Sequence, residues 1–131
     1  MTTIRTVLVC DDRQEIREVV RDVLAEVPTV ELIGETVDAA SCLESVRQLR
    51  PDVLLLDYRI PQGGPHVAKA AKAANPGMHI IVFSGWNDLR LQRAMLEAGA
   101  DQYLVKTGRL QPLLDSLDRA SAVLERQRAV N

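Results

Sequence analysis

The sequence predicts an α/β domain in which a five-stranded parallel sheet lies between two layers of helices. Five short runs of β-branched and aliphatic residues alternate with segments of helical periodicity, as repeated strand-helix units require. Aromatic residues make up only 3% of the chain, so the core has to be built from Val, Leu, Ile and Ala, which suits a parallel sheet covered by helices. At 131 residues and 47% hydrophobic content, the chain can fill one such core without disulfides or a structural metal.

Each strand is predicted from a short run that is bounded by polar or turn-forming residues. The runs are too short for amphipathic helices and are rich in residues that fit a pleated surface. Numbered along the chain, the predicted strands cover Thr6 to Cys10, Glu31 to Glu35, Val53 to Leu56, His79 to Phe83 and Gln102 to Val105.

The helix boundaries are predicted from capping and breaking residues. Pro28 is expected to end helix 1, and Asp38 is placed to act as the N-cap of helix 2, which stops before Pro51. Helix 3 is expected to end at the Asn75-Pro76-Gly77 breaker, and Gly99 follows helix 4 as a C′ residue. The spacing of apolar residues predicts these buried faces for helices 1 to 5 in turn: Ile16, Val19, Val20, Val23, Leu24 and Val27; Leu43, Val46 and Leu49; Val67, Ala70, Ala71 and Ala74; Leu91, Ala94, Met95 and Ala98; Leu110, Leu113, Leu114, Leu117 and Leu124.

An open, doubly wound sheet is the simplest arrangement of these elements, because parallel strands joined by helical crossovers need right-handed connections. We expect the flavodoxin-like strand order 2-1-3-4-5 with five helices. Such sheets bind ligands beyond the carboxyl ends of the strands, where the winding reverses between strands 1 and 3. The chain is expected to form one domain with its core at about residues 4–125, followed by a polar tail or the start of a linker at 126–131.

The composition argues against nucleic-acid binding and membrane insertion. The net charge is −2 and the 16 basic residues are dispersed along the chain, whereas nucleic-acid-binding domains carry clustered positive charge. The N-terminal residues lack the apolar stretch of a signal peptide, and no run approaches the roughly 20 apolar residues of a membrane span. We therefore expect a cytoplasmic protein in which Cys10 and Cys42 are reduced thiols that act as small apolar residues.

Polar residues follow four of the predicted strands at the edge where a ligand would bind. Asp11 and Asp12 follow strand 1, Asp57 follows strand 3, Ser84 follows strand 4 and Lys106 follows strand 5. Three carboxylates in one crevice repel each other, and each pair about 4 Å apart costs roughly 4 kcal/mol at an effective dielectric near 20. The pattern therefore predicts a hard divalent cation, and Mg²⁺ prefers such oxygen ligands.

The same set of residues predicts phosphoryl transfer to an aspartate. Phosphoryl transfer depends mainly on positioning and charge stabilisation, which a divalent cation and Lys106 would supply around Asp57 as nucleophile. The hydroxyl of Ser84 could donate a hydrogen bond to the resulting acyl phosphate.

At these positions the sequence resembles the receiver domains of bacterial two-component response regulators over essentially its whole length. The resemblance rests on Asp11-Asp12, Leu54-Leu55-Leu56-Asp57, Ser84-Gly85 and Tyr103-Leu104-Val105-Lys106. It implies that Asp57 is phosphorylated by a histidine kinase, that Asp12 binds Mg²⁺ directly, that Asp11 does so through water and that Arg59 contributes its backbone carbonyl.

The resemblance also implies a switch and its output. Ser84 would be the switch hydroxyl, Lys106 the partner of the phosphate, and Tyr103 the aromatic residue that turns inward, although Tyr103 could equally be a half-buried structural residue. The changing surface would be helix 4, strand 5 and helix 5, which could form a homodimer or contact a C-terminal effector domain or a downstream protein. Residues Gly99 to Asp101 and Lys106-Thr107 are similar to receivers that carry a C-terminal helix-turn-helix domain.

Two positions depart from the family pattern. Thr107 stands where many receivers have a cis proline after the lysine, and a cis bond before a non-proline residue would cost about 2.5–4 kcal/mol. Pro65, in the Gly63-Gly64-Pro65 segment, stands where glycine is frequent. These departures leave open the geometry of both loops and the access of a metal.

Several further residues are candidates for a role outside this set. Trp86 lies two residues beyond Ser84, where its side chain could restrict access to Asp57. Leu89 and Leu96 lie off the core face of helix 4 and are either a docking patch or scattered surface residues. His66 and His79 are too isolated for a metal site and are interpreted as structural.

Three functions are compatible with the sequence. The first is a phosphorylation-dependent signalling switch, which catalyses only its own phosphorylation and dephosphorylation and is otherwise not an enzyme. The second is a degenerate receiver that binds partners without phosphorylation, and the third is a Mg²⁺-dependent phosphatase with an aspartate nucleophile. The sequence leaves open whether the chain acts alone or belongs to a longer protein.

Overall fold

The computed structural model describes residues 6–130, except for the side chain of Val130, so the predicted start of the core at residue 4 lies outside the described part. Five strands alternate with five helices, as predicted. The strands are β1 (Thr6–Cys10), β2 (Glu31–Thr36), β3 (Val53–Leu56), β4 (His79–Ser84) and β5 (Gln102–Val105), and the helices are α1 (Gln14–Ala25), α2 (Ala39–Leu49), α3 (Pro65–Ala74), α4 (Leu89–Glu97) and α5 (Gln111–Val130).

The predicted strand order is confirmed: the strands form one parallel sheet in the order β2-β1-β3-β4-β5. The register places Cys10 opposite Leu56 and Leu56 opposite Val82, so these strands reach the same level at their carboxyl ends. β2 and β4 each run one residue further than predicted, because Thr36 pairs with Cys10 and Ser84 pairs with Val105. The residues that follow the strands therefore emerge side by side.

The sheet divides the core into two layers because successive residues of a strand point to opposite faces. One layer contains Leu8, Leu54 and Ile80 and packs against α2, α3 and α4. The other layer contains Val9 and Leu55 and packs against α1 and α5. Both faces of β3 are buried, which is why its sequence is apolar without alternation.

Three of the predicted core residues are instead exposed. Val19 lies outside the buried stripe of α1, where Val20, Val23 and Leu24 make the contacts. Leu49 occupies the exposed last turn of α2, and Leu110 precedes the first residue of α5. The predicted apolar faces were wider than the faces that the sheet covers.

The predicted end of α1 was also wrong. α1 ends at Ala25 rather than at Pro28, because the next two amides turn back to Val23 and Leu24. α5 continues through the residues predicted as a polar tail as far as Val130. Buried Leu124 and an ion pair of 2.7 Å between Arg128 and Asp52 hold this last part of α5 against the domain.

The predicted caps of α2 and α4 are confirmed. The Asp38 carboxylate accepts hydrogen bonds from the backbone N–H of Ser41 at 2.8 Å and from its hydroxyl at 2.6 Å. Gly99 has a φ of 122° at the C′ position of α4, a conformation that favours glycine.

We predict that Asp38→Ala lowers the free energy of unfolding by about 1 kcal/mol, because it removes the acceptor for the first turn of α2. Urea denaturation monitored by circular dichroism measures the change, with Asp118→Ala on the exposed face of α5 as the control. Equal stability of the two variants would contradict the role of the cap.

Candidate functional site

Three carboxylates meet at the carboxyl edge of the sheet. One oxygen from each of Asp11, Asp12 and Asp57 lies within 4.8 Å of the others, and Asp11 and Asp57 are buried while Asp12 is exposed. Among residues 6–130 this is the one group of acidic, histidine or cysteine side chains close enough to hold a metal ion together. The structure thus brings together the residues that the sequence predicted as metal ligands.

The backbone holds these side chains in place. The N–H of Asp57 donates to the Cys10 carbonyl at 2.9 Å, and the N–H of Arg13 donates to the Asp11 carboxylate at 2.9 Å. The Arg17 guanidinium also donates to the Asp11 carbonyl at 2.8 Å. The loop between β1 and α1 is therefore fixed by contacts on both sides of Asp11.

Lys106 supplies positive charge to the cluster. Its ammonium lies 2.6 Å from an oxygen of Asp11 and 3.6 Å from an oxygen of Asp57, and its side chain is largely buried. The N–H of Lys106 donates to the Ser84 carbonyl at 2.7 Å, which extends the pairing of β4 and β5 to this residue. Residues 6–130 contain no cis peptide bond, so the bond between Lys106 and Thr107 is trans.

Burial raises the pKa of Asp57 above its ordinary value. The neighbouring Asp11 and Asp12 raise this pKa further, whereas Lys106 and the backbone N–H of Arg59 lower it. Lys106 is one ammonium in contact with two buried carboxylates, so this buried part of the cluster keeps an excess of negative charge. The donor set, which consists of carboxylate oxygens, fits Mg²⁺, because a hard divalent cation would remove that excess.

The cluster opens into a cavity of about 340 Å³ that is partly covered by two large side chains. Trp86 is half exposed at its rim, and the Arg59 guanidinium lies 4.9 Å from the centre of the Trp86 ring. Arg59 comes from the loop after β3 and Trp86 from the loop after β4, so the stacked pair spans the two loops. The cavity is lined by Asp12, Arg13, Asp57, Arg59, Gly85, Trp86 and Lys106.

Sequence reasoning missed the positive rim of this cavity. It considered Arg59 only as a source of a backbone carbonyl and did not consider Arg13, yet both side chains line the cavity. The position of Arg13 next to Asp12 was the available signal. The Arg59 N–H lies 3.3 Å from the Asp57 carboxylate, and the metal contact of the Arg59 carbonyl stays a prediction.

Ser84 and Tyr103 are connected through one residue. The hydroxyl of buried Ser84 accepts a hydrogen bond from the N–H of Trp86 at 3.2 Å, and the Tyr103 hydroxyl donates to the carbonyl of Trp86 at 2.7 Å. Burial raises the pKa of Tyr103, and a hydrogen bond with Ser84 opposes this rise. The two residues predicted to form the switch are therefore neighbours, while their movement stays a prediction.

The loop that departs from the family pattern turns sharply into α3. Gly64 has a φ of 142° and caps α3, and Pro65 is the first residue of the helix, where its missing N–H does no harm. A side chain at Gly63 would come within 2.8 Å of the carbonyls of Tyr58 and Ile60. The loop therefore needs this glycine for close packing.

The remaining candidates do not line the cavity at the acidic cluster. His66 contacts the carbonyl of Gln62 at 2.9 Å on the surface, and His79 is buried near the other end of the sheet. Cys10 and Cys42 are buried free thiols. Leu89 is 76% and Leu96 45% exposed on α4.

Within residues 6–130, the helices lack the combination of length and apolar composition that spanning a bilayer demands.

Comparisons with known proteins agree with this geometry. A family model for the response regulator receiver domain matches residues 7–118. The nitrate/nitrite response regulator protein NarL of Escherichia coli K12 is 30% identical over 118 residues, which cover 89% of this chain and 55% of that protein. A protein-glutamate methylesterase/protein-glutamine glutaminase of Nocardioides is 31% identical over 121 residues, which cover 90% of this chain and 33% of that protein.

A solved structure gives the same result. The signal receiver domain of a NarL response regulator from Mycobacterium tuberculosis has a TM-score of 0.82 and 30% identity, with 92% of this chain and 98% of that chain covered. This chain spans only a third to about half of the two full-length relatives. Because the family model covers residues 7–118, which are most of the chain, the chain belongs to the receiver-domain family of two-component response regulators.

Proposed function

We propose that Asp57 accepts a phosphoryl group from a histidine kinase in a Mg²⁺-dependent reaction and that the domain acts as a switch. The observation that carries this proposal is the meeting of Asp11, Asp12, Asp57 and Lys106 at the carboxyl edge of the sheet. An isolated acidic pair would have a simpler explanation as a helix cap. A helix cap does not explain a buried carboxylate that lies close to an acidic pair and to a lysine.

Asp57 is the member of the cluster best placed to be the nucleophile. It follows the central strand, and its carboxylate is held by the Arg59 N–H on one oxygen and faces Lys106 with the other. When phosphorylated, Asp57 forms a bond from a carboxylate oxygen to phosphorus while the bond from phosphorus to the donor nitrogen breaks. The neighbouring groups have to neutralise the charge of the phosphoryl oxygens.

Asp11, Asp12, Asp57 and the Arg59 carbonyl would hold the Mg²⁺ ion, which when bound supplies charge neutralisation for the transferred group. Lys106 is close enough to follow this group, because it now lies between Asp11 and Asp57. The Ser84 hydroxyl would donate to a phosphoryl oxygen. The hydroxyl can donate its own hydrogen while it accepts from the Trp86 N–H, so its present hydrogen bond would break only if the Ser84 side chain moves toward the phosphoryl group.

The output would follow from such a movement of Ser84. The backbone of Trp86 is hydrogen-bonded to both Ser84 and Tyr103, so a shift of Ser84 would displace Trp86 and, through it, Tyr103 and the start of α4. The surface of α4, β5 and α5 would then present its two states to a second copy of the domain, to a C-terminal effector domain such as a helix-turn-helix, or to a downstream protein. We place this activity in the cytoplasm, with no direct contact to nucleic acid by the domain itself.

We expect mass spectrometry to show one added phosphoryl group after incubation with Mg²⁺ and acetyl phosphate. The adduct should be absent from Asp57→Asn and from samples with a chelator, and present in the exposed control Asp118→Asn. Failure of both the small donor and a cognate kinase to modify Asp57 would favour a binding module that works without phosphorylation. Sustained turnover of a phosphate ester in excess over the protein would favour a phosphatase.

We predict that Asp57→Asn stabilises the domain in the absence of Mg²⁺, since it removes a buried charge that the neighbouring carboxylates repel. The pKa of Asp57 is raised by folding, so the unfolded chain loses this proton first, near the ordinary pKa of 3.8. Wild-type stability relative to the variant therefore falls as the pH rises through this value and through the higher folded pKa.

In the presence of Mg²⁺, the wild type should become more stable than Asp57→Asn. The ion is expected to stabilise the wild type by about 2.7 kcal/mol when its free concentration is about 100 times the Kd, and the variant by less. Urea denaturation with and without Mg²⁺ measures both effects, with Asp118→Asn as the control. An equal gain for wild type and Asp57→Asn would place the ion elsewhere.

Trp86 and the stacked Arg59 are expected to protect the phosphoryl group from water. We predict that Trp86→Ala shortens the lifetime of phosphorylated Asp57 about fivefold, which corresponds to the roughly 1 kcal/mol of a partly exposed cation-π contact. The rate is measured after removal of the donor, and Leu89→Ala is the matched control because Leu89 is exposed nearby but does not line the cavity. An unchanged rate of dephosphorylation in Trp86→Ala would contradict this protective role.

A further inference from the structure

A buried imidazole lies near the end of the sheet opposite to the acidic cluster. His79 is the first residue of β4 and is only 3% exposed. Its Nε2 lies 2.9 Å from the side-chain nitrogen of Gln102, the first residue of β5. Sequence reasoning regarded His79 as structural, but this contact gives it a titratable position between two strands and α5.

The contacts of Gln102 fix the orientation of its amide group. Its Nε2 donates to the carbonyl of Ser116 at 2.9 Å, and a carbonyl can only accept. Its Oε1 accepts from the Arg119 guanidinium at 3.0 Å, and a guanidinium can only donate. The Ser116 hydroxyl also donates to Oε1 at 2.9 Å. The amide thus makes two contacts through its oxygen and one through its nitrogen before His79 is counted.

This orientation determines the protonation state of His79. The second hydrogen of the Gln102 nitrogen points to His79 Nε2, which must therefore accept and carry no proton. A protonated imidazole would place two N–H donors against each other. Rotation of the amide would not help, because its NH₂ group would then face the Arg119 guanidinium. Neither orientation satisfies a protonated His79.

The charged groups around His79 come from every neighbouring element. Lys72 on α3 and Asp101 before β5 form an ion pair of 2.6 Å. Asp52, before β3, accepts a hydrogen bond from the backbone N–H of His79 through its carbonyl at 2.9 Å. The carboxylate of Asp52 pairs with Arg128 on α5. Burial lowers the pKa of His79 below 6.5, Lys72 lowers it further and Asp101 opposes this shift. The imidazole is therefore neutral at neutral pH and gains its charge on acidification.

From this geometry we infer that protonation of His79 breaks the Gln102 contacts and loosens α5 from β5, so that the α5 surface responds to acidification. Both Ser116 and Arg119 belong to α5, and Gln102 is followed directly by Tyr103. The input is separate from Asp57, which lies at the other end of the sheet. The inference does not depend on phosphorylation of the domain.

The test combines an NMR titration of the histidines with hydrogen exchange, on the full chain without a phosphodonor. We expect the midpoint of His79 to lie below the ordinary histidine pKa of 6.5, because the imidazole is buried. Amide protection of residues 116–124, corrected for intrinsic exchange, should fall about tenfold with the midpoint of His79, as expected for local opening of one helix. His66→Gln should keep this dependence, and His79→Gln, which cannot titrate but still offers an acceptor, should lose it.

A second variant, Gln102→Glu, is expected to raise the pH at which His79 titrates. In Gln102→Glu the carboxylate accepts from a protonated imidazole, so the His79 midpoint should rise above that of the wild type. Protection of α5 that stays constant through the His79 titration, or that falls equally in His79→Gln, would overturn the inference. If His79→Gln does not fold, an unchanged His79 midpoint in Gln102→Glu would overturn it as well.

Discussion

The ammonium of Lys106 pairs with the two buried carboxylates at the carboxyl edge of the sheet. Parallel strands that end at the same level bring Asp11 and Asp57 together in a buried place, where their repulsion is strong. Lys106 contacts both, and its own position follows from the pairing of β4 and β5. The rest of the site is arranged around this compensated charge.

The compensation is incomplete, and that gives the site its chemistry. The raised pKa of Asp57 shows that burial and repulsion outweigh the help of Lys106 and the Arg59 N–H. A divalent cation would complete the compensation. The same edge carries Trp86, whose backbone is hydrogen-bonded to both Ser84 and Tyr103, so one loop joins these two residues.

β5 connects this edge with the opposite end of the domain. Lys106 follows its last residue, Tyr103 lies within it and Gln102 begins it. Gln102 reaches His79 and two residues of α5, so the strand carries polar contacts at both ends and is only half buried. An edge strand of this kind can transmit changes from either end to α5.

The sequence by itself determined the class of fold, the strand order and the identity of the acidic cluster. It could do so because short apolar runs, breakers and the common carboxyl edge of parallel strands are local or topological signals, which place Asp11, Asp12, Asp57 and Lys106 without side-chain detail. The capping role of Asp38 followed from equally local chemistry.

Only the tertiary structure decided which parts of the apolar faces are covered and which side chains meet across loops. Val19, Leu49 and Leu110 fit helical periodicity but lie beyond the area that the sheet buries. The stacking of Arg59 on Trp86 and the four contacts of Gln102 join residues that are far apart in sequence. No local pattern encodes these contacts, because they depend on the distances between elements after packing.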